Sequence, residues 1–271
     1  MNRPTGEPPW GSPDPSGPRT PRLSVVFPCL DEAERLPATL AAYLAHYPPG
    51  RGVPRSAGAQ VELIVVDDGS RDGTSAVADR VAVADQRVRV LRTAGNHGKG
   101  YAVRAGIRAA QGELVVFTDA DGSYGPEQVD RVVAALAVAP VAIGARLGET
   151  AGAGPPLRRL ASRVFNLAMR LLLGLDFHDT QCGLKGFQRE AAEAVFRRAR
   201  VDGFAFDAEA LLLARRLGLE VVEVPVRAED RPGSKVHLAG DAVRMLADVW
   251  GVRRAAARGA YEEAPARDPA G

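Results

Sequence analysis

The chain has 271 residues, and 46% of them are hydrophobic, so it is long enough to bury a sizeable core. Its formal net charge of +2 excludes the strong basic field that would favour nucleic acid as a partner, and its two cysteines exclude a disulfide framework. No run of about 18 apolar residues occurs, so we predict that the chain does not span a membrane by itself.

Both ends of the chain are predicted to be disordered tails. Residues 1–21 contain seven prolines and lack the apolar core of a signal peptide. Residues 257–271 mix alanine, proline and charged residues. We therefore expect the folded part to lie between these two segments.

Between the tails, short apolar strands alternate with helical segments. The predicted strands and helices, in chain order, are 23–27, 33–47 (helix), 61–66, 74–84 (helix), 88–91, 101–110 (helix), 114–118, 126–137 (helix) and 141–144. Such alternation predicts parallel strands with right-handed crossovers, and continuous apolar strands predict a sheet covered on both faces. The predicted fold class is α/β: one domain with a mixed, mainly parallel sheet flanked by helices.

Carboxylates follow three of the predicted strands, at the sheet edge where ligands bind in such folds. They are Asp31 and Glu32, Asp67 and Asp68, and Asp119 and Asp121. Turn chemistry and helix capping explain part of this pattern. Because several carboxylates at one edge repel each other, a bound cation would relieve the cost, and Mg²⁺ or Mn²⁺ is the natural candidate.

A glycine-rich loop follows the third strand. It reads Asn96-His97-Gly98-Lys99-Gly100 and opens a helix, where an anion is favoured. The loop lacks the spacing of a P-loop and of a dinucleotide fingerprint. Alone, it is equally well explained as a simple turn or as a phosphate contact.

These motifs, in this order, resemble a known family. In the first half they are Val25–Pro28 with Glu32, Val65–Thr74, Gly98–Gly100 and Thr118–Asp121. They look like family 2 inverting glycosyltransferases with the GT-A fold. In the second half the motifs are Asp179–Phe187, Gly203–Glu209, Val222–Val226 and Gly233–Val236. These are similar to the members that act on dolichyl and polyprenyl phosphates.

The resemblance implies a donor site for a UDP-sugar in a catalytic domain over 22–230. The residues that it places against the nucleotide sugar are Pro28, Glu32, Asp67, Asp68, Lys99, Asp119 and Ala120. Asp121 would be the main ligand of Mg²⁺ or Mn²⁺, and Asp119 would face the ribose or the metal. Asp31 departs from the pattern, because the family usually has Asn before the Glu.

The resemblance also implies an acceptor that carries a lipid phosphate. Such a phosphate is already largely ionised at neutral pH, so it needs positioning cations more than a general base. The residues that the resemblance implies for it are Arg146, Arg158 and Ser162, and Lys185 and Lys235 are additional options in this sequence. If the acceptor were a hydroxyl group instead, Asp207 or Glu209 would be the general base.

We therefore expect transfer of glucose from UDP-glucose onto a polyprenyl or dolichyl phosphate, with inversion. The alternatives are a soluble family 2 enzyme with a small acceptor, mannosyl transfer from GDP-mannose, and a non-enzymatic nucleotide-sugar-binding module. Apolar stripes beside arginines in 157–175 and in a C-terminal helix over 231–256 fit either core packing or membrane contact. The lipid acceptor favours peripheral attachment to the cytoplasmic face of the cell membrane.

Overall fold

A computed structural model of the protein describes residues 22–48, 61–146, 169, 172–229 and 238–262, and for 238–246 it describes the backbone alone. The elements of the first half are β1 (Leu23–Cys29), α1 (Leu36–His46), β2 (Val61–Asp67), α2 (Thr74–Ala84), β3 (Val88–Arg92), α3 (Lys99–Ala109), β4 (Leu114–Phe117), α4 (Pro126–Ala135) and β5 (Val141–Arg146). Every strand and helix predicted above is present, with ends that differ by three residues or fewer.

The second half adds elements that the hydrophobic pattern did not reveal. They are β6 (Lys185–Gln188), α5 (Arg189–Phe196), α6 (Phe206–Arg216) and β7 (Val221–Val226). Helix α7 (Leu238–Ala257) overlaps the helix expected over 231–256.

The seven described strands form one sheet in the order β3-β2-β1-β4-β6-β5-β7. Strand β6 runs antiparallel to both β4 and β5, and the other neighbouring pairs are parallel. The predicted mixed, mainly parallel sheet is therefore confirmed. In β1, Val25 and Val26 enter different cores on opposite faces of the sheet, which explains why this strand is continuously apolar.

Helices cover both faces. Helices α1, α2 and α4 pack on the face that receives Val25, and α3, α5, α6 and α7 pack on the face that receives Val26. The loops after β1, β2 and β4 share one edge of the sheet, because Cys29 pairs with Asp67 and Val26 pairs with Phe117. The predicted site residues are concentrated at this edge.

The segment after α7 differs from the expectation. Tyr261 is 4% exposed and packs in the same core as α6 and α7, so the loose tail predicted for 257–271 is wrong for the described residues 258–262. The predicted tail 1–21 lies outside the described residues, as do Arg158, Ser162 and Lys235. Across the described ranges, we find no helix with both the length and the apolar character needed to cross a bilayer.

Candidate active site

The loop after β4 carries the paired aspartates and is fastened by α1. The Thr39 hydroxyl donates a hydrogen bond to the carbonyl of Ala120 at 2.9 Å, and the Tyr43 hydroxyl donates to the carbonyl of Tyr124 at 2.9 Å. Both donors are buried, so water does not compete for these bonds. The loop backbone, and with it the direction of both carboxylates, is therefore held in place.

Asp119 meets residues from two other segments. Its Oδ1 lies 2.5 Å from Nζ of Lys99, and a Cβ built on Gly183 would come within 2.0 Å of its Oδ2. Any side chain at 183 would displace this carboxylate. Burial by itself lowers the pKa of Lys99, but Asp119, Asp207 and Asp121 outweigh it and raise that pKa above its usual value. Lys99 is therefore a cation at neutral pH.

Asp121 lines a cleft of about 840 Å³ between its own loop, α1 and the loop after β1. Its Oδ1 accepts a hydrogen bond from the amide of Ser123 at 2.9 Å, which orients the carboxylate. The charged groups of this lining are mostly acidic: Asp31, Glu32, Glu34, Arg35, Asp72, Asp121, Glu127 and Glu229. A diphosphate would be repelled here unless cations accompanied it. Lys99 and Asp119 lie outside this lining.

The carboxylates of this site fit one common way in which proteins bind Mg²⁺ or Mn²⁺. Across the described residues, no group of three or more His, Cys, Asp or Glu side chains is arranged to hold a metal ion. Mg²⁺ in phosphate-transfer sites commonly takes one or two carboxylates and completes its shell with water and substrate phosphates. Asp121, with Asp119 beside it, would hold such an ion, and the substrate would supply the remaining oxygens.

Asp67 and Asp68, at the end of β2, organise the neighbouring loops. Asp68 is buried, and its Oδ2 accepts hydrogen bonds from the amides of His97 and Gly98 at 3.0 and 2.7 Å. Asp67 accepts from the amide of Ser70 at 3.0 Å. Asp68 thus fixes the loop that leads to Lys99, and its predicted contact with the nucleotide stays a prediction.

The glycine-rich loop needs glycine at two positions because the main chain of residues 201 and 202 packs directly against it. A Cβ on Gly98 would lie 2.5 Å from the carbonyl oxygen of Asp202, and a Cβ on Gly100 would lie 2.4 Å from that of Val201. The amide of Gly100 already donates to Asp202 at 2.7 Å. The close approach to these glycines is therefore made by residues 201 and 202, and the loop contributes the Lys99 side chain to the site.

The loop after β1 explains the unusual aspartate. Asp31 has a φ of 55°, a left-handed conformation that Asn and Asp tolerate better than other side chains. Its carboxylate accepts from the amide of Arg71 at 2.7 Å, and its own amide donates to Ser70 Oγ at 2.9 Å. Glu32 pairs with Arg35 at 2.6 Å, while Pro28 is half-buried near the end of β1. Asp31 therefore retains the conformational role available to Asn.

Two residues of the second half lie beneath the site. The Lys185 side chain is 0% exposed, and its Nζ donates to Asp207 Oδ1 at 2.6 Å and to the carbonyl of Cys182 at 2.7 Å. Burial raises the pKa of Asp207, although Lys185 and Lys99 oppose that shift. The structure thus does not place Lys185 where an acceptor phosphate would reach it. Lys185 and Asp207 form a buried ion pair beneath the candidate active site.

Glu209 is separated from the other predicted residues. It is fully buried, and its carboxylate accepts from the amides of Arg200 and Val201 at 3.0 and 2.9 Å and from the Tyr261 hydroxyl at 2.7 Å. This geometry does not fit the general base expected for a hydroxyl acceptor. Glu209 instead holds the segment whose next carbonyl, that of Asp202, anchors the start of α3.

Arg146 ends β5 and is paired rather than free. Its Nε and Nη2 donate to the two carboxylate oxygens of Asp179 at 2.6 and 3.0 Å. Burial opposes both charges, but the bidentate contact outweighs it, raising the pKa of Arg146 and lowering the pKa of Asp179. The Arg146 side chain is 37% exposed, so part of its guanidinium remains available to an anion.

Sequence reasoning missed several residues that build the site. Thr39 and Tyr43 look like ordinary positions of an amphipathic helix, and no local signal reveals their bonds to the loop after β4. Asp179 and Gly183 were part of a recognised motif, but only the fold shows that they meet Arg146 and Asp119.

Comparison with known proteins agrees with this architecture. The solved glucosyl-3-phosphoglycerate synthase of Mycobacterium tuberculosis, in a complex with Mn²⁺, UDP and glucosyl-3-phosphoglycerate, superposes with a TM-score of 0.58 at 23% identity, over 85% of this chain and 80% of that one. At this identity the likeness defines the fold alone. The sheet order and this structural likeness show the GT-A fold that the sequence predicted.

The sequence defines the family. The family model Glycosyl transferase family 2 matches residues 24–196, and this chain belongs to that family. The polyprenol monophosphomannose synthase of Mycolicibacterium smegmatis is 35% identical over 86% of this chain and 88% of its own length. The human dolichyl-phosphate beta-glucosyltransferase is 32% identical over 93% and 79%. The predicted family and the predicted enzyme class, a hexosyltransferase, are confirmed.

Proposed function

We propose that the protein transfers glucose from UDP-glucose to a polyprenyl or dolichyl phosphate, with inversion at the anomeric carbon and with Mg²⁺ or Mn²⁺. The observation that carries this proposal is the contact of Lys99 with Asp119, two residues from Asp121, which brings a cation and two carboxylates to one edge of the sheet. The lipid acceptor is supported by the names of relatives that match most of this chain.

The donor half of the mechanism rests on charge. When bound, the metal ion neutralises the negative charge that develops on the departing nucleoside diphosphate. Lys99, held by Asp119, adds a fixed positive charge beside it. Thr39 and Tyr43 keep the aspartate loop in one conformation, so little reorganisation is needed as the bond breaks.

In the acceptor half of the mechanism, the lipid phosphate must be positioned for attack. The lipid phosphate attacks the anomeric carbon in line, so one carbon–oxygen bond forms as the bond to the diphosphate breaks. Because this nucleophile is already ionised, no proton has to be removed. Among the described residues, we assign this role to Arg146, which Asp179 orients. Arg158, Ser162 and Lys235 remain proposed partners of the phosphate, outside the described residues.

A second candidate is mannosyl transfer from GDP-mannose to the same kind of lipid. The relative from Mycolicibacterium smegmatis is named for a phosphomannose product, and its match with this chain covers 88% of its length. In either case we propose that the enzyme works at the cytoplasmic surface of the cell membrane, because the acceptor is a lipid.

A donor panel tests this proposal. Purified protein is incubated with a short polyprenyl phosphate and one donor at a time, UDP-glucose, GDP-mannose or UDP-N-acetylglucosamine, with Mg²⁺, Mn²⁺ or EDTA. We expect a hexosyl polyprenyl phosphate by mass spectrometry, with UDP-glucose and only with metal. If a small phosphorylated acceptor is glycosylated and the lipid is not, the lipid proposal is wrong.

A further inference from the structure

A second concave surface lies at the far end of α6, away from the aspartates. It is a cleft of about 480 Å³ between the end of α6, α7 and the segment around Gly174. Its floor is apolar and its charged residues are all arginines. The lining residues are Leu172, Leu173, Gly174, Leu212, Arg215, Arg216, Arg253, Ala256 and Ala257. We call this surface the arginine groove.

Among the described side chains, no carboxylate pairs with the arginines of the arginine groove. Arg215 donates to the carbonyl of Gly174, and Arg216 donates to the carbonyl of Ala256 at 2.9 Å. Arg253 lies 5.6 Å from the centre of the Trp250 ring. Within the described part of the chain, these three arginines have neutral partners and no ion pair.

The outer face of α7 also carries exposed arginines, together with an exposed tryptophan. Trp250 is 51% exposed, which is unusual for so large an aromatic side chain. Arg254 and Arg258 follow it at intervals of four residues and are exposed as well, so they lie on the same side of the helix and its end. Val249 and Val252, by contrast, are buried against α6.

We infer that the arginine groove and the Trp250 face dock on a bilayer that contains anionic phospholipids. The arginines attract anionic headgroups, a half-exposed tryptophan is typical of the membrane–water interface, and the apolar floor accommodates the start of an acyl chain. A soluble anion would match the charge but would gain nothing from the apolar floor or from Trp250.

The arginine groove lies at the opposite end of α6 from Asp207, which is beneath the candidate active site. Arg215 lies eight residues beyond Asp207 on α6, which corresponds to about 12 Å along the helix axis. The inference rests on the proposed function in one respect: a lipid acceptor requires that the enzyme reach a membrane. The groove would supply that attachment without taking part in the transfer.

Vesicle flotation of the full chain tests the inference. We expect binding to vesicles of phosphatidylglycerol and phosphatidylcholine, weak binding to phosphatidylcholine alone, and release by high salt. The variant with Arg215→Gln and Arg253→Gln should lose at least fivefold in the bound fraction. A matched control replaces Arg80 and Arg131 by Gln, because both are exposed and lie on the helices of the opposite face.

A second variant guards against misfolding. Arg215 also donates to a main-chain carbonyl, so Trp250→Ala with Arg253→Gln removes two of the docking groups and leaves that bond intact. Equal binding of wild type and this variant, or equal binding of wild type to neutral and anionic vesicles, would overturn the inference.

Activity on a short acceptor in detergent separates the two proposals. We expect the groove variants to transfer sugar to it at the wild-type rate while their flotation falls. If wild type transfers no sugar to any polyprenyl phosphate but still floats with anionic vesicles in a groove-dependent way, the proposed function fails and the docking surface stands.

Discussion

The ammonium group of Lys99 lies 2.5 Å from Oδ1 of Asp119, although β3 and β4, which lead to these two residues, are separated in the sheet by β2 and β1. The contact thus joins two loops across the carboxyl edge of the sheet. Both side chains are partly exposed, so the pair contributes little to stability by itself. Its consequence is geometric, because it keeps a cation beside the paired aspartates.

Lys99→Met should lower kcat/KM for the nucleotide sugar by about 100-fold, because it removes a fixed positive charge that faces the leaving diphosphate. Steady-state kinetics with varied donor measures this effect. Arg108→Met, an exposed position at the end of the same helix, should leave kcat/KM unchanged. An unaltered value for Lys99→Met would remove Lys99 from the donor site.

Gly183→Ala should impair catalysis through Asp119. The new methyl group would meet Asp119 Oδ2 at 2.0 Å, so the carboxylate must move away from its place beside Lys99. We expect at least about a tenfold loss in kcat/KM, equivalent to about 1.4 kcal/mol of transition-state stabilisation. Gly251→Ala is the control, since a Cβ there meets nothing within 4 Å. Equal activity of the two variants would contradict the tight contact.

Tyr261→Phe should destabilise the fold and weaken donor binding. It removes a 2.7 Å hydrogen bond from the buried carboxylate of Glu209, which costs about 1.5–3 kcal/mol for a charged acceptor. Because Glu209 holds residues 200 and 201, and Asp202 anchors α3, donor KM should rise as well. Urea unfolding and donor kinetics measure the two effects. Glu220→Gln, which is exposed, should stay within about 0.5 kcal/mol of wild type.

The pH profile should be set by the acceptor. The raised pKa of Lys99 means that its stabilising charge is fully present below its unfolded pKa of about 10.4 and is lost as the pH rises through the higher folded value. The lowered pKa of Asp179 means that its contribution is present above about pH 3.9 and is lost as the pH falls through the lower folded value. Between these limits both charges persist.

The change that we expect to affect the acceptor within that window is protonation of the lipid phosphate, with a second pKa of about 6. We therefore predict that kcat/KM for the lipid falls below about pH 6 and stays level to about pH 9. A decline that begins between pH 7 and 9 would instead indicate a group on the enzyme that must be protonated.

The first half of the fold was predictable because its signals are local. Strands such as Leu23–Cys29 are continuously apolar, and each is followed by turn residues and a helix. The hydrophobic pattern and the turn residues therefore predict the same elements. Strand β6 has four residues, Lys185–Gln188, and includes both a glycine and a buried lysine. No hydrophobic pattern marks such a strand, because its place depends on pairing with β4 and β5.

The residue types of the site were also predictable, but their partners were not. The acids after three strands could be assigned to one edge from the topology of parallel sheets. Glu209 and Tyr261 are 52 residues apart, and Arg146 and Asp179 are 33 apart, so nothing in the local sequence shows that they meet. For the same reason, Gly98 and Gly100 suggested a phosphate contact although their neighbours are the carbonyls of 202 and 201.

The most direct test of the account compares wild type with Asp121→Asn in forming hexosyl polyprenyl phosphate from UDP-glucose, measured by mass spectrometry with and without Mn²⁺. Asparagine keeps the shape and the hydrogen bond to Ser123 but removes the negative charge that would hold the cation. We predict metal-dependent product with wild type and at least a 100-fold lower rate with Asp121→Asn at an unchanged unfolding temperature. Product formed by Asp121→Asn at the wild-type rate, or equally without metal, would contradict the account.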